Sequence, residues 1–253
     1  MQEIPIVDLF AGPGGLGEGF SAFSPAGAEA GRVFRIAVSA EMDPTAHATL
    51  RLRAFFRQFE NPEDVPQKYY DYIASRVTKE EFEADPALSE YWRKADEEAL
   101  CLTLGDADHN DQLDQRLGVV LKNEKHWVLI GGPPCQAYSL VGRARNQGIA
   151  DYSAENDHRY FLYKEYLRII RDYQPSIFIM ENVKGILSSK VDGEGVFHKI
   201  LDDLMGPFET KAGRKISPPV GYRLFSIGTG KGLDRNSPDG AFDPRDFVIR
   251  SEE

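Results

Sequence analysis

The chain has 253 residues, 42% of them apolar and 28% charged, with a formal net charge of −10. That length supports one large core, or one domain with insertions. Two cysteines, Cys101 and Cys135, rule out a disulfide framework and fit a reducing, cytoplasmic setting, and no apolar run reaches membrane-spanning length. The N-terminus lacks a signal-peptide pattern. Taken whole, the acidic charge argues against a nucleic-acid partner. The charge is uneven, however: Gln58–Leu100 holds 12 acidic and 5 basic residues, so seven of the ten excess negative charges lie there.

Five short apolar runs punctuate the chain: Ile4–Phe10, Phe34–Ala40, Trp127–Ile130, Ser176–Met180 and Tyr222–Ile227. The first four lack clean alternation, as expected of strands covered on both faces in a parallel sheet. Between them lie helical patterns. Asp43-Pro44 reads as a cap followed by proline at the first helical position, opening a helix through about Phe59. Tyr163, Tyr166, Leu167, Ile170 and Tyr173 repeat at helical spacing before Pro175, and Phe197, Ile200, Leu201 and Leu204 repeat it again. This alternation predicts an α/β, doubly wound, mostly parallel sheet, with ligands at the carboxyl ends of its strands. Gln58–Leu100 interrupts the rhythm. It reads as an inserted, acidic, helical excursion (Lys79–Ala84, Leu88–Leu100) on the periphery, and Gly228–Asp246 reads as a long loop.

Chemistry-bearing residues fall at the predicted strand ends. Asp8–Gly15 (DLFAGPGG), continuing to Gly17 and Gly19, follows the first strand and opens a helix. Glycines there admit a ligand close to the backbone, although the spacing is not that of a dinucleotide fingerprint. Glu41 follows the second strand, where a carboxylate can accept from both ribose hydroxyls. Gly105-Asp106 could accept from an adenine amino group, and is also a common turn pair. Gly131–Ser139 (GGPPCQAYS) sets Cys135 on a rigid turn after the third run, suited either to chemistry or to packing as a small hydrophobe. Glu181-Asn182-Val183 ends the fourth run. A carboxyl group there is expected to be desolvated, with a raised pKa that suits a proton donor.

In this order and at these strand ends, the motifs DLFAGPGG, Glu41, Gly105-Asp106, GGPPCQAYS and Glu181–Val183 resemble those of the cytosine-5 DNA methyltransferase family. The resemblance implies a Rossmann-like fold dependent on S-adenosylmethionine. It implies methyl transfer to carbon 5 of a cytosine flipped out of double-stranded DNA, in a restriction–modification setting. RNA methylation, or a non-catalytic module that binds cofactor or a partner, are the alternatives. By motif match Cys135 is the nucleophile, and Glu181 contacts ring nitrogen 3. Phe10, Ala11, Gly12, Gly14, Gly15, Leu16, Glu41, Met42, Asp106, Pro133 and Leu162 fall on the cofactor side. Leu162 belongs to Asp157–Leu162, an imperfect match to the family's fifth motif. Pro134, Gln136, Ser139, Asn182 and Val183 fall on the substrate side. Arg143 and Arg145 lie in the segment that closes over DNA in the family, where arginines suit phosphate contacts. No metal or membrane partner is implied.

The family's next motif, Gln-x-Arg-x-Arg, does not appear before Glu253, nor do a target-recognition region and the final motif. The expectation is therefore residues 1–253 as a catalytic, cofactor-binding domain incomplete at its C-terminus, inactive by itself. Residues 58–100 form its insertion, and the remainder lies elsewhere in the protein or on a complementing chain. Ser176–Met180 should then keep an unpaired edge, or the sheet a gap.

Overall fold

A computed structural model of the chain describes residues 3–25, 32–133 and 162–181, together with the backbone of four two-residue strands beyond them. The chain divides into two units, Met1–Gly132 with Pro175–Met180, and Pro133–Gln174 with Glu181–Glu253.

The first unit is built on five parallel strands: β1 (Ile4–Leu9), β2 (Phe34–Glu41), β3 (Ala99–Cys101), β4 (Val128–Gly131) and β5 (Ile177–Met180). Their order is β3-β2-β1-β4-β5. The chain thus winds outward from β1 through β2 to β3, then returns to the other side of β1. The reversal lies between β1 and β4, the switch point where open parallel sheets bind ligands. Helices α1 (Gly15–Ser21), α2 (Pro44–Phe56) and α6 (Ala107–Val120) follow β1, β2 and β3. Ile6, Val7, Leu9, Val38, Leu129 and Ile130 are fully buried, which is why β1 and β4 read as unbroken apolar runs. The Rossmann-like α/β architecture is that expected from sequence, and four of the five apolar runs become strands within a residue or two of their expected bounds.

The sheet is tightest where β1 meets β4. Leu9 and Gly131 are register partners, and a Cβ on Gly131 would overlap the Leu9 carbonyl oxygen. Only glycine fits this close approach. The first of the two glycines before Pro133 is therefore a packing requirement of the sheet.

Residues 58–100 depart most from expectation. They do form short helices, α3 (Gln67–Ile73), α4 (Lys79–Glu83) and α5 (Ser89–Glu98), with 3₁₀ turns between. The expected helix over Leu88–Leu100 ends at Glu98, however, and Ala99–Cys101 pairs with Ser39–Glu41 as edge strand β3. The open side of β2 offers backbone partners that override the local helical pattern. Nor is the segment peripheral. Phe59, Val65, Phe82, Leu88, Trp92 and Ala95 form a core with Leu50, Ala54 and Phe55 of α2. Phe55 is its hub, with ring centroids 4.5 Å from Trp92, 5.3 Å from Phe82 and 5.5 Å from Phe59. The acidic surface is the solvent side of an apolar layer, and Arg51 lies over the Trp92 ring at 4.3 Å.

Helix α2 opens as its sequence predicts. The Asp43 carboxylate accepts from the N–H groups of Thr45 and Ala46 at 2.9 and 2.8 Å, and Pro44 takes the first helical position. It closes at Phe56, three residues before the expected end. In the second unit, α7 (Leu162–Tyr173) buries Leu162, Tyr163, Tyr166, Ile169 and Ile170. Gln174, at φ 50°, closes it by donating its N–H to the Ile170 carbonyl, 3.0 Å. That unit also holds two antiparallel pairs, β6 (Lys190–Val191) with β7 (Glu194–Gly195), and β8 (Phe208–Glu209) with β9 (Lys215–Ile216). The helix expected around Phe197–Leu204 and the strand expected at Tyr222–Ile227 lie outside the described residues. β5 pairs with β4 on one side, and no other strand pairs with it among the described residues.

Phe55→Ala should destabilise the fold by about 3–5 kcal/mol, because it empties the hub of the aromatic layer. Val119→Ala, at an exposed site on α6, should change stability by less than about 0.5 kcal/mol. Urea denaturation of both variants checks the contrast.

Candidate functional site

The turn after β1 is held by main-chain bonds to β2. Phe10 takes φ 56°, unusual for a residue with a side chain. The Ala11 N–H donates to the Ala40 carbonyl at 3.0 Å, and the Gly12 N–H donates to Glu41 Oε2 at 2.7 Å. The other oxygen of Glu41, Oε1, accepts from the Asp43 N–H at 2.8 Å. Glu41 therefore ties the glycine turn to the end of β2. As an ionised acceptor with two oxygens, it keeps lone pairs for further donors. Gly14 caps α1 at φ 88°, and a Cβ there would come within 2.7 Å of Leu50 Cδ1 on α2. The turn's inner side is thus packed. Among the described residues its other side is open, since a Cβ on Gly12 or Gly15 would meet none of them within 4 Å.

Asp106 ends the loop after β3 and caps α6, accepting from the His109 N–H at 3.1 Å. Two side chains from α6 hold the same loop. His109 Nδ1 accepts from the Thr103 N–H and Asn110 Oδ1 accepts from the Gly105 N–H, each at 3.1 Å. Sequence reading missed both. Their signal was the spacing of three and four residues after a capping aspartate.

Beneath the turn lies a charged cluster that sequence reading also missed. Arg57, just past α2, has a side chain only 9% exposed and pairs with Glu18 of α1 and Glu98 at the end of α5. Burial pushes Glu98 up. Asp8 on β1 is 1% exposed, and neither carboxylate oxygen has a hydrogen-bond partner of ordinary geometry among the described residues. Burial pushes its pKa from 3.8 to about 7, against the opposing pull of Arg57 and with a further push from Glu41.

The structure brings Phe10, Ala11, Gly12, Gly14, Gly15, Leu16, Glu41 and Met42 together at the carboxyl ends of β1 and β2, with Asp106 in the loop beyond β3. Pro133 follows β4 and is buried, and Leu162 opens α7 in the second unit and is buried. Glu181 directly follows β5 and is exposed, so the desolvation expected of it is not found. Among the described residues β5 pairs on one side only, and its Ile177 is exposed. Pro134, Cys135, Gln136, Ser139, Arg143, Arg145, Asn182 and Val183 lie outside the described residues. Among the described residues there is no group of His, Cys, Asp and Glu that could hold a metal ion, and no helix long and apolar enough to cross a membrane.

A parallel sheet of this order, with a glycine turn after β1 and an acceptor carboxylate ending β2, defines the doubly wound class that binds a nucleoside-containing cofactor. The residues fit such a group. The open side of the turn can receive it, Glu41 can accept from ribose hydroxyls, and the Met42 side chain is exposed beside it.

Comparison with known proteins finds similarity to one family. The family model for C-5 cytosine-specific DNA methylases matches residues 83–206. A type II methyltransferase of Bacillus paralicheniformis, M.Bpa9945I, is 32% identical over 73% of this chain and 42% of its own length. M.AquIA of a Picosynechococcus species is 29% identical over 74% of this chain and 51% of its own. Over residues 83–206 the chain is similar to C-5 cytosine-specific DNA methylases. It spans about two fifths to one half of the length of these relatives. Among solved structures, the Entamoeba histolytica methyltransferase EhMeth aligns with 81% of this chain and 44% of its own, at 15% identity and a TM-score of 0.36.

Asp8 makes stability depend on pH. The folded chain holds the Asp8 proton up to about pH 7, whereas the unfolded chain releases it near 3.8. The folded state therefore binds more protons across that window, and stability falls as pH rises through it, levelling off above about 7. The whole loss is at most about 4 kcal/mol. Asp8→Asn should flatten this slope, as read from urea midpoints between about pH 5 and 8.

Proposed function

We propose that the protein carrying this chain transfers a methyl group from S-adenosylmethionine to carbon 5 of cytosine in double-stranded DNA, as the modification partner of a restriction–modification system in the cytoplasm. One relation in the sheet carries the reading. Gly131 and Met180 are register partners at the ends of adjacent parallel strands. The chain that leaves β4 reaches Cys135 four residues on, and the chain that leaves β5 reaches Glu181 at once. The two groups that cytosine chemistry needs thus issue from neighbouring strands, β4 and β5, two and three strands from β2, which ends in Glu41. In the domain organisation that follows, residues 1–253 supply cofactor binding and catalysis.

Carbon 5 of cytosine is a poor nucleophile. Addition of the Cys135 thiolate at carbon 6 makes the ring enamine-like and divides one hard step into easier ones. Glu181 holds a proton at ring nitrogen 3, which favours that addition. Carbon 5 then takes the methyl group, and loss of its proton with elimination of Cys135 restores the aromatic ring. The base reaches these groups only when flipped from the duplex, at a cost of a few kcal/mol.

On the cofactor side, S-adenosylmethionine supplies the methyl as a sulfonium when bound. The turn Ala11–Gly15 and Leu16 receive its amino-acid part, and Glu41 accepts from the ribose hydroxyls. Phe10 and Met42 flank the adenine, Asp106 accepts from its amino group, and Pro133 and Leu162 complete the lining. Pro134, Gln136, Ser139, Asn182 and Val183 surround the base, and Arg143 and Arg145 contact phosphates.

Two experiments test this reading. Glu41→Ala removes the ribose acceptor and the anchor of Gly12. It should weaken S-adenosylmethionine binding at least ten-fold, about 1.4 kcal/mol, in a calorimetric titration; unchanged affinity sinks the cofactor assignment. In the catalytically competent protein, duplex DNA containing 5-fluorocytosine should be trapped covalently, because fluorine blocks the final elimination. Cys135→Ser should abolish the trapped complex. Trapping on RNA alone would overturn the DNA assignment.

A further inference from the structure

Asp8 is a buried carboxyl that the proposed chemistry does not use. It lies on β1, two residues before the turn, and faces α1: a Cβ on Gly17 would stand 3.0 Å from Asp8 Oδ2. Its register partner on β2, Ser39, is equally buried, and the Ser39 hydroxyl also has no hydrogen-bond partner. On the β4 side its register partner is the apolar Ile130. A carboxylate so placed lacks the donors that would compensate its desolvation, which costs several kcal/mol.

The charged groups around Asp8 compensate it only in part. Arg57, past the end of α2, is already paired with Glu18 of α1 and Glu98 of α5. Glu41, at the end of β2, adds like charge. From α1 comes only the Gly17 N–H, which offsets part of the cost. Arg57 is the cation that acts on Asp8, while Arg53 lies beside Gly14 of the turn and Arg116 acts on Glu98, so a ligand's positive charge in the turn would add to a pull that Arg57 supplies only in part.

We propose that Asp8 is a proton-linked group of the cofactor turn, holding its proton when no ligand is bound and releasing it when a cationic ligand occupies the turn. The step converts the Asp8 carboxylic acid to carboxylate, with the proton passing to solvent, and no bond to the ligand forms. The inference rests on the assignment of S-adenosylmethionine to this site. That molecule carries a net positive charge, which its demethylated product lacks once the sulfonium becomes a thioether. Asp8 is then a positioning group that distinguishes charged cofactor from uncharged product through pH. By linkage, the affinity ratio of cofactor to product rises as pH rises toward the upper end of the Asp8 titration.

The test is isothermal titration calorimetry of the full chain with S-adenosylmethionine, and separately with S-adenosylhomocysteine, in two buffers of different ionisation enthalpy. At about pH 6.5, wild type should release roughly half a proton more with the cofactor than with the product, as expected for a ten-fold weaker hold on the Asp8 proton. The amino group common to both ligands cancels in this difference. In Asp8→Asn the difference should vanish while binding persists. Equal proton release with both ligands in wild type, or an unchanged difference in Asp8→Asn, overturns the proposal with the cofactor assignment intact. Absence of binding heat from either ligand overturns the cofactor assignment and this proposal with it. If Asp8→Asn does not fold, ligand-induced infrared difference spectra of wild type decide. Loss of a protonated-carboxyl stretch on cofactor binding supports the proposal, and no change refutes it.

Discussion

The bond from the Gly12 N–H to the Glu41 carboxylate is the interaction on which the site depends. It joins the turn after β1 to the end of β2, and the second oxygen of Glu41 reaches the Asp43 N–H at the entrance to α2. One side chain therefore sets the height of the turn, the end of a strand and the start of a helix. A carboxylate accepting two main-chain donors is strongly held, yet it keeps acceptor capacity on both oxygens. The same group can thus serve as scaffold and as ligand contact without moving.

Around that bond the unit is stiff for reasons that differ from place to place. Between β1 and β4 the stiffness is steric, because Gly131 leaves no room beside the Leu9 carbonyl. Between α1, α2 and α5 it is electrostatic, through Arg57 and its two carboxylates. Between α2 and the acidic segment it comes from an aromatic layer centred on Phe55. These contacts share α2, which meets the glycine turn through Leu50, the acidic segment through Phe55 and the charge cluster through its end. Removing the segment of residues 58–100 would strip α2 of its core and take edge strand β3 from the sheet.

That arrangement changes the meaning of the chain's acidity. Most of the excess charge lies on one segment, but the segment is neither a tail nor a separate module. Glu98 turns inward to Arg57, and Glu83 and Asp96 pair with Arg51. The charge that argues against a nucleic-acid partner is partly spent on internal pairs, on helices packed behind β2 and β3.

Much of this was legible in the sequence. Strands buried on both faces show as unbroken apolar runs, so β1, β2, β4 and β5 could be read directly. Asp43-Pro44 announced the cap of α2 because capping is a local hydrogen-bond pattern. The motifs at strand ends singled out the glycine turn, Glu41, Cys135 and Glu181, since each combines a residue type with a chain break. What could not be read was set by partners distant in the chain. Ala99–Cys101 became a strand only because β2 offered an open edge. Phe55 became a hub only when α3, α4 and α5 folded over it. Asp8 lay inside a motif that was read as a unit, and its isolation is visible only once Ser39, Gly17, Ile130 and Arg57 surround it. The sequence by itself determined the architecture and the chemical groups, because periodicity, capping and turn residues act over a few positions. The tertiary structure alone decided which carboxyl groups are buried, because burial is fixed by segments brought together from across the chain.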